Sequence, residues 1–237
     1  MLRTRVIPTI CYSGGIAYKP ISFGERRTIG PLLQMARVYQ RREVDELIIL
    51  DIDATKERRE PDYESVEEIA AELFSPLCVG GGIATLDHIN RLLRCGADKV
   101  AIKSHATPRF IQEASEKFGA QAIVLAIDFP FGDPAMVYAI YAHQLQGCGV
   151  GEILLTSMAN DGNMNGYDLK LIHKVSRAVS IPVIANGGCG GYLDMLNAIR
   201  AGAHAVAASS IFQFTEATPR GACEYLAEHG VPVRLAA

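Results

Sequence analysis

The sequence predicts a (β/α)8 TIM barrel, a mixed α/β fold in which eight parallel strands alternate with eight helices. Three observations carry the prediction. Eight short apolar runs alternate with eight segments whose apolar residues recur three and four positions apart, which is strand-then-helix eight times over. A chain of 237 residues with 49% hydrophobic content has the usual size of one such barrel and can bury a large core. The chain also repeats itself in register, as two half-barrels would. Residues 1–237 are therefore read as a single barrel domain. The repeat argues against an open, doubly wound sheet.

Taken in order, the expected strands are Arg5–Ile10, Leu47–Asp51, Leu77–Gly80, Lys99–Ile102, Ala122–Ile127, Glu152–Thr156, Val183–Ala185 and Val206–Ala208. Each is a short apolar run, as strands buried on both faces of a parallel sheet are. Between them lie helical patterns such as Ile69 with Leu73, or Ile89 with Leu92 and Leu93. Helix ends are marked by Gly96, Gly119, Gly202 and Gly230. The connection after the first strand carries Gly14 and Gly15 and runs to roughly 20 residues, far above the usual length, which points to a mobile lid. The segment Pro76 to Ser104 lines up without gaps with Pro182 to Ser210, matching Gly81 with Gly187, Gly82 with Gly188, and Gly96 with Gly202. Asp45-Glu46-Leu47-Ile48 lines up at the same offset with Gly151-Glu152-Ile153-Leu154.

Chemistry is expected beyond the carboxyl ends of the strands. The apolar run Ile123 to Ile127 ends on Asp128, a carboxylate placed for acid–base work, although a strand-end cap reads the same in isolation. Its half-barrel counterpart, after Val6 to Ile10, is Cys11. Glycines at strand ends allow close backbone approach and suit phosphate binding. Two such cradles are expected, one from Gly80, Gly81, Gly82 and Ser104, the other from Gly187, Gly188, Ser209 and Ser210, with Asp161 and Gly162 joining the second. Two phosphate sites across one mouth suit a ligand with a phosphate at each end. Asp51 ends the second strand, and Lys19 lies in the lid as either a solvated residue or a substrate contact. At the opposite strand ends, Arg5, Glu46, Lys99 and Glu152 form a set that can pair into a ring closing the barrel floor. That face is ordinarily structural.

The formal charge of −3 and sequence pI near 6.1 leave no electrostatic footprint for nucleic acid or an anionic membrane. No apolar run reaches the roughly 20 residues of a membrane span, and no signal-peptide pattern opens the chain, so a cytoplasmic location is expected. The six cysteines lack metal or disulfide spacing and the six histidines are scattered, so reduced thiols, no metal and no cofactor are expected.

Several runs together resemble the cyclase subunit of imidazole glycerol phosphate synthase over nearly the whole chain. They include Val79-Gly80-Gly81-Gly82-Ile83, Gly96-Ala97-Asp98-Lys99-Val100, Ala126-Ile127-Asp128, Gly151 to Ser157, Asp161-Gly162, Gly166-Tyr167-Asp168 and Ile181 to Ala185. The resemblance implies a glutaminase partner at the barrel floor and ammonia passing up the barrel to a bisphosphate ribonucleotide. The implied products are imidazole glycerol phosphate and an aminoimidazole carboxamide ribotide. Arg5, Glu46, Lys99 and Glu152 match the family's ammonia gate, Asp98 a partner-facing position, and Asp128 one of two catalytic aspartates. Three positions depart from the family pattern. Cys11 stands where the other catalytic aspartate is expected, Lys103 where Asn usually lies beside the phosphate, and the segment from Phe129 to Gly149 is about a dozen residues short.

These departures resemble a specialised branch that accompanies a glutaminase and a sugar amidotransferase making acetamidino sugars of lipopolysaccharide. Lys19 to Phe23, Arg42 to Leu47, and Asp51 to Ala54 with Arg59-Glu60-Pro61 carry that likeness. Two functions stay open: a cyclase using Asp128, and an ammonia conduit and allosteric partner whose mouth serves another enzyme. Cys11 and the short fifth loop favour the conduit.

Overall fold

The computed structural model describes residues 3–130 and 135–235. Eight parallel strands close into a barrel: β1 (Arg5–Ser13), β4 (Leu47–Asp51), β5 (Leu77–Gly80), β6 (Lys99–Ile102), β7 (Ile123–Phe129), β8 (Glu152–Ser157), β9 (Val183–Asn186) and β10 (Ala205–Ala208). Closure comes from β10 pairing with β1, Arg5 opposite Ala205 through Pro8 opposite Ala208. An open sheet has two free edges; this one rejoins itself, so the doubly wound alternative is excluded.

Helices α1 (Leu32–Arg41), α2 (Tyr63–Ala70), α3 (Leu86–Arg94), α4 (Pro108–Phe118), α5 (Ala135–Gln146), α6 (Leu169–Ala178), α7 (Tyr192–Arg200) and α9 (Pro219–Glu228) surround the strands. A one-turn helix, α8 (Ser210–Phe214), follows β10. Side-chain caps set several helix starts: Thr85 accepts from the His88 N–H, Thr107 from Phe110 and Asp168 from Leu171. Each such cap stabilises its helix by about 1 kcal/mol.

Alternation along the strands divides the core in two. Ile7, Ile48, Cys78, Ala101, Val124, Leu154 and Ile184 point to the barrel axis and pack on one another. Their neighbours, among them Val6, Ile49, Val79, Val100, Leu125, Ile153 and Val183, point outward beneath the helices. Full burial of one such aliphatic side chain is worth about 1.5–3 kcal/mol, so the barrel wall is held from both faces.

The half-barrel symmetry is visible in the ladder register. Cys11 pairs with Leu50 and Asp128 with Thr156, while Leu50 and Thr156 lie 106 positions apart, as Gly81 and Gly187 do. Cys11 and Asp128 are thus equivalent positions. Helices α3 and α7 obey the same offset at both ends.

Two expectations need correction. The first strand runs three residues past Ile10, and the long connection after it is not an irregular loop. Strands β2 (Ile16–Pro20) and β3 (Arg26–Pro31) form an antiparallel extension of β1, with Tyr12 opposite Ala17 and Ala17 opposite Gly30. Gly14 and Gly15, at φ +55° and +73°, make the two-residue turn, whose left-handed backbone matches the twist of a hairpin. The fifth barrel strand begins at Ile123 rather than Ala122, after a 3-10 turn at Ala120–Ala122, and extends to Phe129, so Asp128 sits within it. The shortened segment after Asp128 includes residues 131–134, which lie outside the described residues.

Candidate functional site

The mouth of the barrel opens into a cavity of about 280 Å³ that reaches from Phe23 and Lys103 at the rim down to Ala101 and Leu154. Cys11 and Asp128 both line it. Asp128 is mostly covered, and one carboxylate oxygen accepts a charge-assisted hydrogen bond from Lys103 Nζ at 2.5 Å. Lys103 Nζ also lies 5.9 Å from the centre of the Phe23 ring at the hairpin tip. Burial pushes the Cys11 thiol up to about 11; Asp161 and Asp128 add to the rise and Lys19 opposes it. The thiol is therefore protonated at neutral pH and presents no charge to a ligand.

Both expected cradles surround this mouth. In the first, Gly80, Gly81 and Gly82 share the cavity wall with Lys103 and Ser104, and Ser104 is exposed. In the second, Gly187, Gly188, Ser209 and Ser210 line a small pocket with Lys19, Asp161 and Gly162. Ser209 Oγ donates to the Thr9 carbonyl at 2.9 Å. Ser210 Oγ is buried with no hydrogen-bond partner among the described residues. A buried hydroxyl at the head of a glycine-lined pocket wants an acceptor.

Lys19 is not a solvated lid residue. It lies on β2, is 3% exposed, and its Nζ donates to both oxygens of Asp161 at 2.7 and 2.9 Å. The hairpin is docked on the sixth loop by further bonds: Ser22 N–H donates to the Asp161 carbonyl at 2.7 Å, and Asn163 Nδ2 to Ser22 Oγ at 2.8 Å. Asp51 lines the cavity, but both its oxygens accept from Arg59, at 2.6 and 2.8 Å, and one also accepts from the Asp53 and Ala54 N–H groups. It organises the second loop rather than presenting a free carboxylate. Arg59, eight positions after the strand-end Asp51, is a partner that sequence periodicity does not mark.

At the opposite end, Arg5, Glu46, Lys99 and Glu152 meet as one network. Arg5 donates to Glu46 and, at 2.6 Å, to Glu152; Lys99 Nζ donates to Glu46 at 3.0 Å and to Glu152 at 2.9 Å. Two cations and two carboxylates balance across the axis. Burial opposes ionisation of Glu152, but Arg5 and Lys99 outweigh it, and its carboxyl titrates below the ordinary value. The same carboxylates hold the charge on Arg5 and Lys99 against the cost of burial. Asp98 is exposed beside Lys99 and accepts from the Leu77 N–H at 2.8 Å.

A protein-family model described as "Histidine biosynthesis protein" matches residues 5–218. The chain is 43% identical to the imidazole glycerol phosphate synthase subunit HisF of Dehalococcoides mccartyi, over 99% of both proteins. It is also 43% identical to a Campylobacter jejuni protein provisionally named imidazole glycerol phosphate synthase subunit hisF2, over 99% of this chain and all of that one. The chain belongs to the HisF family.

Cys11 and Lys103, the two positions at which the resemblance implies a departure, both line the cavity with Asp128: Cys11 is symmetric to it and Lys103 sets an ammonium on it. The protonated state of Cys11 has a direct readout. At pH 8 its carbamidomethylation by iodoacetamide is expected to run about 100-fold slower than that of a free thiol, and to accelerate steadily towards pH 11. Peptide mass spectrometry of the timed reaction measures this, and fast labelling at pH 8 would mean that a thiolate is present.

Proposed function

We propose that this chain is the ammonia-receiving subunit of a glutamine-dependent synthase of the imidazole glycerol phosphate type. A glutaminase subunit, as HisF works with, docks on the floor around the ring and Asp98. Ammonia enters past Arg5, Glu46, Lys99 and Glu152 and rises to a phosphorylated ligand at the mouth. The observation that carries this reading is the balanced ring of four charges lying under an axial core, whose far end opens into a cavity with two glycine cradles. A floor plug needs no such cavity above it, and a plain phosphate-binding barrel needs no charged floor.

Within that role, delivery of ammonia to another enzyme is favoured over closure of an imidazole by this chain alone. The acid–base pair expected of a cyclase is reduced to Asp128, because Cys11 is uncharged, and Asp128 is itself engaged by Lys103. Phe23, which lines the mouth, is a large apolar side chain left exposed, as are Met136, Val137 and Ile140 on α5 and Phe214 on α8. The recipient that fits the branch resemblance is a sugar amidotransferase of surface-polysaccharide synthesis. The cyclase reading, with Asp128 as general acid and base on a bisphosphate ribonucleotide, draws its support from the retention of both cradles.

The test supplies purified protein with ammonium salt and the bisphosphate ribonucleotide, and measures imidazole glycerol phosphate. Delivery alone predicts no turnover by the wild type, stimulation of the glutaminase on mixing, and a gain of turnover in Cys11→Asp. Wild-type turnover that disappears in Asp128→Asn would sink the delivery-only reading in favour of the cyclase. Failure to bind or stimulate any glutaminase would remove the role itself.

A further inference from the structure

We propose that Lys103 is a specificity-determining residue that keeps Asp128 engaged until a phosphate monoester occupies the first cradle. The inference rests on the mouth binding phosphate, as proposed above. Lys103 directly follows β6, and Asp128 lies on the neighbouring strand β7, so the lysine reaches across one strand to the carboxylate. The two partners are unequally placed. The Lys103 side chain is 54% exposed while that of Asp128 is 16% exposed. Its ammonium thus sits at the boundary between the carboxylate and the open cavity, and Gly81, Gly82 and Ser104 line that same cavity.

A lysine ammonium is a point charge on a flexible four-carbon stem with three rotatable donors, so a change of partner needs rotamer changes only. A phosphate monoester brings up to two negative charges and several acceptor oxygens against the single charge of a carboxylate, and charge-assisted bonds to it are strong. The pair with Asp128 is partly solvated, which weakens it and makes it exchangeable. Lys103 therefore turns towards the phosphate, and Asp128 is released from the ion pair. A molecule that lacks a phosphate at this end leaves the carboxylate engaged. The second cradle shows the same pairing in buried form, where Lys19 is held by Asp161. There the lysine lies on β2 and is 3% exposed, so the exposed Lys103 is the partner that answers first.

The test is a double-mutant cycle read by phosphate affinity. Inorganic phosphate is titrated into the full chain as wild type, Lys103→Met, Asp128→Asn and the double variant, and binding is followed on the Gly81 and Gly82 amide signals by NMR. Lys103→Met keeps the aliphatic stem and is expected to weaken phosphate about tenfold. Asp128→Asn is expected to tighten it three- to tenfold by freeing the lysine, and to change it less than twofold in the Lys103→Met background. Equal tightening in both backgrounds would mean that Asp128 repels phosphate through space without competing for Lys103, which overturns the inference. Phosphate bound with wild-type affinity by Lys103→Met also overturns it while leaving the cradle intact. Absence of any phosphate effect on Gly81 and Gly82 in all four proteins overturns the phosphate reading of this cradle and the inference with it.

Discussion

Glu46→Gln is expected to lower the thermal midpoint by about 6–12 °C. Glu46 is the most deeply covered member of the floor network, 1% exposed against 14% for Glu152, 16% for Lys99 and 23% for Arg5. The substitution keeps the shape and removes one charge, leaving two cations facing one carboxylate. Breaking a buried charge network from one side costs about 3–5 kcal/mol, and the partial exposure of Arg5 places this one near the lower figure. A barrel of this size loses about 2–4 °C per kcal/mol. Replacing all four residues together, Arg5→Met, Glu46→Leu, Lys99→Met and Glu152→Leu, is expected to cost far less than the single change, because no charge is left unpaired. The ring would then be kept for what passes through it, and the quadruple variant should lose glutamine-driven product while keeping ammonium-driven product. A single variant as stable as the wild type would show that water reaches the network freely. The pH dependence has a defined sign. The Glu152 carboxyl is held below its ordinary value of 4.5 in the folded chain, so its contribution is present above that pH and is lost as pH falls through the lower, folded value. Thermal midpoints of the wild type should fall in acid accordingly.

The floor network and the barrel strands were legible in the sequence for the same reason. A parallel strand buried on both faces must be an apolar run, so a charged residue at its first position stands out, as Arg5, Lys99 and Glu152 do. The half-barrel repeat was legible because its glycines are fixed by backbone geometry rather than by side-chain packing. What escaped lies where partners come from distant segments. Lys19 pairs with Asp161, 142 positions away, and periodicity holds no signal for such a contact. The hairpin of β1 and β2 is readable in principle from Gly14-Gly15, but the length of the connection up to α1 suggests an irregular lid. Asp51 lines the mouth, whereas its engagement by Arg59 depends on how the second loop folds back. Cys11 is legible as the symmetric partner of Asp128 because each follows the apolar run of the first strand in its half-barrel; its protonation state follows only from how it is covered.

Gly188→Ala is expected to be among the most damaging single-methyl changes in the mouth. Gly188 has φ +103°, and a Cβ there would stand 2.2 Å from the Gly166 carbonyl oxygen and 2.8 Å from Asn160 Cβ. Backbone cannot swing aside as a side-chain tip can. The Gly166 N–H donates to the Gly188 carbonyl at 2.8 Å, and Asn160 Nδ2 donates to the Gly166 carbonyl at 2.9 Å, so moving Gly166 breaks both. Two lost hydrogen bonds at about 1 kcal/mol each, plus about 1–3 kcal/mol of backbone strain, put the loss near 3–5 kcal/mol. The sixth loop carries Asp161, which holds Lys19, so the second cradle should lose phosphate affinity by more than tenfold. Its half-barrel counterpart Gly82 makes an internal control. At φ +71° its nearest obstacles are Ala54 Cβ and the Arg59 carbonyl, each 3.0 Å away, so Gly82→Ala needs shifts of a few tenths of an ångström and should cost about 1–2 kcal/mol. Thermal unfolding with phosphate titration of both variants separates two accounts of the repeat. Equal losses would mean that the shared glycine geometry alone sets the cost. A larger loss at Gly188 means that the two halves, alike in backbone, have been made different by the loop folded against each glycine, and that the second cradle depends on a contact which the first does without.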